Sequence, residues 1–351
     1  MNPIVAFIKL IRLPNLLIIV LTQYAIRYGV IYPTLTINGL DLQMKELDFF
    51  LLSLSTVMIA ASGYIINDYF DLKIDRVNRP DKIIIGKYLK RRVAMGAHVV
   101  INSLAIIIAA YLAYVAGNWK LIFIQLMAAG ALWYYSISFK KQVLVGNIVV
   151  ALLAALVPFI AGLYELILQH ANAEESVNGV LFFVEPGTPF EQVMFEFKLV
   201  LSIIMKWVIG FSIFAFLSTM VREIIKDIED YEGDKKYFSN TLAVMHGKDK
   251  AKLVAQAFTV IMILLIGYVQ YNQVIINHGG GTVERAQSQT KALITSMYFL
   301  FVLQIPLLYV LFKIHKAKEK TDYSKLSMNM KIIMLLGIFY IAIFYYLKIY
   351  L

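Results

Sequence analysis

The sequence predicts an all-α integral membrane protein of nine transmembrane helices, organised as two related four-helix units with one further helix. Three observations carry that expectation. Mean hydropathy is +0.70, and 60% of residues are hydrophobic while 16% are charged, whereas a soluble domain holds about half apolar and about a quarter charged residues. Charge-poor runs of about 20 residues, the length of helix that crosses a bilayer, recur nine times. The basic residues collect in alternate connections, as they do where loops sort by charge across a membrane.

The runs lie near 13–33, 48–67, 93–117, 119–139, 143–164, 199–221, 253–277, 292–312 and 330–350. Lys9 and Arg12 precede the first, but no small-residue cleavage site follows it, so it is expected to remain as a span. With the N-terminus inside, 25 of the 33 Lys and Arg fall on the cytoplasmic side, and an odd number of spans leaves the C-terminus outside. Arg27 and Lys206 sit in the outer parts of their spans and are expected to snorkel outward. The chain is read as one domain, 1–351, with an external insertion at about 165–198, where Pro186-Gly187 and Pro189 flank an apolar patch, Val180–Val184. Gly279-Gly280-Gly281 reads as a flexible turn, and Pro158 and Pro306 as simple kinks.

Composition also excludes. With no cysteine there is no disulfide, thiolate metal site or cysteine nucleophile, and the five histidines show no metal-ligand spacing. The net charge of +10 belongs to the topology-setting connections, so nucleic acid is not expected as a partner; the bilayer is.

The chemistry lies at the end of the second run, in Asn67-Asp68-Tyr69-Phe70-Asp71-Leu72-Lys73-Ile74-Asp75. On a helix Asp68, Asp71 and Asp75 stand at i, i+3 and i+7, within roughly 60° of one another. One such triplet is most simply a solvated acidic helix end. After the sixth run, however, Asp227, Asp230 and Asp234 repeat the spacing 159 residues later, four spans on and therefore on the same face. Like charges at these spacings repel unless a cation lies between them, and hard oxygen ligands suit Mg²⁺ or Ca²⁺. Two acidic motifs backed by Lys and Arg describe a site for a polyanion held through metal ions. Because it opens from an apolar bundle, the polyanion is expected to be a diphosphate with a hydrocarbon tail. Arg79 and Lys82, just beyond the first motif, are cationic candidates for stabilising a departing diphosphate.

These residues resemble the UbiA-type intramembrane prenyltransferases. Asn67-x3-Asp71-x3-Asp75 with Arg76-Val77-Asn78-Arg79-Pro80-Asp81-Lys82 is similar to that family's first aspartate-rich motif, Asp230-x3-Asp234 to its second, and nine spans match its architecture. The resemblance implies that Asn67, Asp71, Asp75, Asp230 and Asp234 bind two Mg²⁺ and the diphosphate, with Asp68 and Asp227 as nearby support. It implies that Asp71, Asp75, Asp230 and Asp234 carry catalysis. Tyr134-Tyr135-Ser136-x3-Lys140 is similar to a family element whose lysine contacts the diphosphate, which makes Tyr135 and Lys140 diphosphate-binding residues. The family commonly continues Lys-Pro where this chain has Lys82-Ile83.

By the same resemblance the partners are a polyprenyl diphosphate donor and a lipid or aromatic acceptor. Arg222-Glu223-Ile224-x-Lys226-Asp227-Ile228-Glu229-Asp230-x2-Gly233-Asp234 and Asn240-Thr241-Leu242 most resemble the branch that adds geranylgeranyl to geranylgeranylglyceryl phosphate. A quinone-pathway enzyme acting on 4-hydroxybenzoate or dihydroxynaphthoate is the alternative. A cation transporter is a remote one, and would want ionisable residues near the middle of its spans.

Overall fold

The computed structural model describes residues 1–180, 188–276 and 282–351. A short α1 (Pro3–Leu10) meets α2 (Leu13–Ile37) at Arg12, whose backbone is left-handed with φ 54°. There follow α3 (Glu46–Asn78), α4 (Arg91–Val115), α5 (Trp119–Ile137), α6 (Val145–Ala171), a short α7 (Ala173–Val180) and α8 (Phe190–Glu229). Two short helices, α9 (Tyr231–Lys236) and α10 (Leu242–His246), precede α11 (Lys248–Ile276), α12 (Gln287–Lys316) and α13 (Lys320–Ile349). Among the described residues nine helices are long and apolar enough to cross a membrane, as the sequence predicts, and no strand forms.

Several helices overrun their predicted spans, and in two of them this places the chemistry. α3 has 33 residues and α8 has 40. At 1.5 Å per residue they reach about 50 and about 60 Å, well beyond ~30 Å of hydrocarbon. Charged side chains end a hydropathic run without ending a helix, so the acidic motifs ride on helical extensions rather than in loops. On the opposite side α6 continues to Ala171 and α8 begins at Phe190, which narrows the expected 165–198 insertion to a connection over 172–189. Residues 181–187, with most of the apolar patch and the Pro186-Gly187 turn, lie outside the described residues, as do His278 and the Gly279-Gly280-Gly281 turn.

Lys206 is exposed on α8, on the half away from its acidic end, but Arg27 does not snorkel. It is 1% exposed, within a π-helical stretch of α2, Ile26–Ile31. Its Nη2 donates to the Met44 carbonyl at 2.6 Å and to Glu46 Oε1 at 2.9 Å, and Nη1 lies 3.6 Å from Oε2 of the buried Glu165. The guanidinium also sits 4.5 Å over the Phe49 ring. Glu165 accepts from the backbone N–H groups of Gln43 and Met44 at 2.7 and 3.2 Å, and Gln169 donates to the Asp41 carbonyl at 2.7 Å. The connection before α3 is thus stitched across α2 and α6 and closes the outer end of the bundle. The carboxylate on α6 is the reason: at membrane depth a buried cation with a partner is better placed than one stretched toward distant water.

Candidate active site

The last turns of α3, the α8–α9 junction and the inner ends of α2, α5 and α6 surround a cavity of about 440 Å³. Its mouth carries Asn67, Asp71, Asp75, Asp227, Asp230 and Asp234. Deeper in, Ile18, Leu153, Val157, Phe211, Phe214 and Ile338 make an apolar interior. The two acidic motifs, 159 residues apart in the chain, therefore face one space.

They are built differently. Asn67 to Asp75 belong to one unbroken helix, as expected. The second motif does not: α8 ends at Glu229, Asp230 takes a non-helical backbone (φ −91°, ψ 8°), and Asp234 belongs to α9. The break is held by Asn78, the last residue of α3, which sequence reasoning missed. Its Nδ2 donates to the Asp230 carbonyl at 3.2 Å and its Oδ1 accepts from the Gly233 N–H at 3.0 Å. Lys320 Nζ in turn donates to the Asn78 carbonyl at 2.8 Å. A Cβ on Gly233 would stand 2.4 Å from both polar atoms of the Asn78 side chain, so only glycine admits this junction. We expect Gly233→Ala to cost about 1–3 kcal/mol of stability by overpacking and about 100-fold in kcat by displacing the second motif. Thermal unfolding and turnover of the purified protein check both, and wild-type values for both would dissolve the junction's importance.

Arg79 Nη2 contacts Asp230 Oδ2 at 2.8 Å and Glu229 Oε1 at 3.6 Å, and Lys140 forms an ion pair with Asp71. Asn147, at the start of α6, donates to Asp227 Oδ2 at 2.8 Å. Tyr135, Lys140 and Arg79 all line the cavity. Two predicted residues fall elsewhere. Asp68 is absent from the cavity wall and is held by Arg12 at 2.7 Å, and Lys82 lies on an adjoining cleft of about 570 Å³ that Asp68 also lines. The reason is geometric: Asp68 lies on the α1-facing side of α3, and Lys82 follows the helix end in a short turn, Pro80–Lys82. Arg222, Lys226 and Lys331 also reach the cavity; in the sequence Arg222 and Lys226 belong to the stretch that carries the branch resemblance, and none of the three stands out as a site residue.

Do these groups fit a divalent cation? Asn67 Oδ1 and Asp230 Oδ1 are buried oxygens without a hydrogen-bond partner, the hard donors Mg²⁺ takes. Among the described residues no three acidic or histidine side chains converge to enclose an ion by themselves. That suits Mg²⁺ too, which is usually held by one or two carboxylates together with water and substrate phosphate oxygens. The site is an open half-shell that a diphosphate would complete.

Burial first, then the charges of Asp230 and Asp71, push the Asp234 carboxyl up from 3.8 to about 7, against the pull of Lys140 and Arg79. In metal-free protein the folded state then keeps a proton that the unfolded chain has released, so stability falls as pH rises from the ordinary carboxylate range through about 7. The expected result is a melting temperature without divalent ions that drops between about pH 5 and about pH 8 and recovers on adding Mg²⁺. A melting temperature that rises across that window would contradict the placement of Asp234.

The described helices thus form a membrane bundle whose acid-lined mouth opens onto an apolar cavity. The family profile of the UbiA prenyltransferase family matches residues 17–334, and the chain belongs to that family. It is 31% identical over 207 residues to the digeranylgeranylglyceryl phosphate synthase of Sulfurisphaera tokodaii, covering 59% of this chain and 60% of that one. It is 32% identical over 215 residues to the synthase of the same description from Sulfolobus acidocaldarius, covering 61% and 63%. The matched stretches thus span less than two thirds of those relatives' length. A solved structure concerning digeranylgeranylglyceryl phosphate synthase in membranes has the same fold, with a TM-score of 0.50 and 22% identity over 97% of this chain and 98% of that one.

Proposed function

We propose that the protein transfers a geranylgeranyl-like polyprenyl group from an allylic diphosphate to geranylgeranylglyceryl phosphate, with Mg²⁺ as cofactor. The observation that carries this is the single cavity in which unpartnered metal-ligating oxygens at the mouth adjoin an apolar interior. The acceptor is supported by the relatives' activity. The basic inner connections support a cytoplasmic mouth and N-terminus with the C-terminus outside.

Asn67, Asp71, Asp75, Asp230 and Asp234 would hold the metal, with Asp227 steadied by Asn147 behind them. Bound Mg²⁺ supplies charge neutralisation of the diphosphate, which makes it a better leaving group. Arg79 and Lys140, paired to Asp230 and Asp71 in the protein, are placed to turn toward the diphosphate and take up its charge. The allylic C–O bond breaks and its electron pair leaves with the diphosphate. Aliphatic walls exclude water from the resulting cation, and the faces of Tyr64 and Tyr135 lie on the same cavity. The acceptor hydroxyl oxygen then forms an ether bond to the allylic carbon, and its proton passes to a carboxylate of the second motif.

The test is an assay of purified protein with geranylgeranyl diphosphate and Mg²⁺, offering geranylgeranylglyceryl phosphate, 4-hydroxybenzoate and dihydroxynaphthoate side by side. The expected product is the diether phosphate. Prenylation of an aromatic acid alone would replace the acceptor and leave the donor site standing, and no prenylation of any acceptor would overturn the reading.

A further inference from the structure

Beside the acidic mouth lies a basic surface that the donor chemistry leaves unused. The main cavity and the adjoining cleft meet along a shared wall that includes Arg12, Asn15, Arg222, Lys226 and Lys331. Arg12 is committed to Asp68. Two of the others share one carboxylate: Arg222 Nη1 lies 2.6 Å and Lys226 Nζ 3.0 Å from Glu223. Among the described residues Lys331 has no carboxylate within ion-pair distance; its Nζ donates to the side-chain oxygen of Asn15 at 2.8 Å. Arg222 Nε is buried with no hydrogen-bond partner, although an arginine N–H taken out of water ordinarily finds one. Glu223 faces both Arg222 and Lys226, while Lys331 meets only the Asn15 amide, and the cleft adds the hydroxyls of Ser324 and Ser327.

We infer that Arg222, Lys226 and Lys331 form a subsite for the phosphate monoester of the acceptor lipid, which rests on the proposed glyceryl phosphate acceptor. A phosphate monoester carries close to two negative charges at neutral pH, and its oxygens suit both the arginine fork and the point charge of a lysine. The wall that holds these cations also holds Asp75 and Arg79, so a phosphate seated there puts the neighbouring glycerol hydroxyl beside the donor's reacting end. An acceptor without the phosphate would leave Arg222 Nε and Lys331 uncompensated, a penalty that makes such a site selective.

The test measures binding apart from turnover. Detergent-solubilised protein is titrated with geranylgeranylglyceryl phosphate, with the same lipid lacking phosphate, and with phosphatidic acid, which has the phosphate but no free hydroxyl, following the melting temperature. The two lipids that carry the phosphate monoester are expected to stabilise wild type more than the lipid that lacks it. Lys331→Met and Arg222→Gln are each expected to weaken that binding and raise the acceptor KM by about 10- to 100-fold, while affinity for a non-hydrolysable donor diphosphate changes less than threefold. Lys331→Arg should retain most of the binding and serves if Lys331→Met fails to fold. Unchanged acceptor binding in both variants, loss confined to the donor, or equal stabilisation by the lipid lacking phosphate would each overturn the inference. Phosphate-dependent binding that the variants abolish, in a wild type that forms no diether, would uphold the subsite and reject the proposed function; diether formation with acceptor affinity untouched in the variants would do the reverse.

Discussion

Asp230→Ala is expected to lower kcat by about 10³-fold or more while the purified protein remains folded. Two features of this residue make the effect large. Its Oδ1 is buried without a partner, so in the folded protein it is already presented as a ligand and needs no rearrangement to meet a cation. Its Oδ2 holds Arg79 at 2.8 Å, so the substitution also frees the guanidinium nearest the expected diphosphate. The polypeptide itself loses little, since the Asn78 clamp grips the Asp230 carbonyl, which alanine retains. Asp71→Ala should behave alike, because it removes a mouth carboxylate together with the partner of Lys140. Turnover, donor binding and Mg²⁺ titration on the same preparations separate a lost metal from a lost fold. Activity within tenfold of wild type for both variants would remove these aspartates from the metal set.

Arg27→Met should have the opposite signature, a large loss of stability with little change in the chemistry of the protein that remains folded. The substitution strands Glu165, 1% exposed, without its cation, and removing one member of a buried pair costs about 3–5 kcal/mol. It also releases the Met44 carbonyl and the edge of the stitch that closes the outer end. The melting temperature in detergent should fall sharply, whereas kcat measured well below it should stay within a few-fold of wild type. Adding Glu165→Gln removes the stranded charge, so the double variant should be more stable than the two single losses summed. Strict additivity would show that the pair does not interact.

Much of the active-site face was legible because it is written in local sequence. Helical spacing put Asp68, Asp71 and Asp75 on one side of α3, and the recurrence at Asp227, Asp230 and Asp234 supplied the second half. Not every member of those triplets turned out equivalent. Asp68 is claimed by Arg12, from the α1–α2 junction that meets α3 only after folding, and the regular spacing around Asp230 conceals a helix break. Asn78 had no signal beyond its place between Val77 and Arg79, since its role depends on a backbone 152 residues away. Arg222, Lys226 and Lys331 were legible as charge but not as a cluster.

By itself the sequence determined the solvent of each segment and the face on which the acidic motifs emerge, because hydropathy and charge act residue by residue and need no knowledge of neighbours. Only the tertiary structure decided which oxygens stay unpartnered, which cations are cancelled by carboxylates, and that Arg27 turns inward to Glu165. Those outcomes depend on distances between helices far apart in the chain, and at membrane depth a charge goes where a partner is, which no single span can specify.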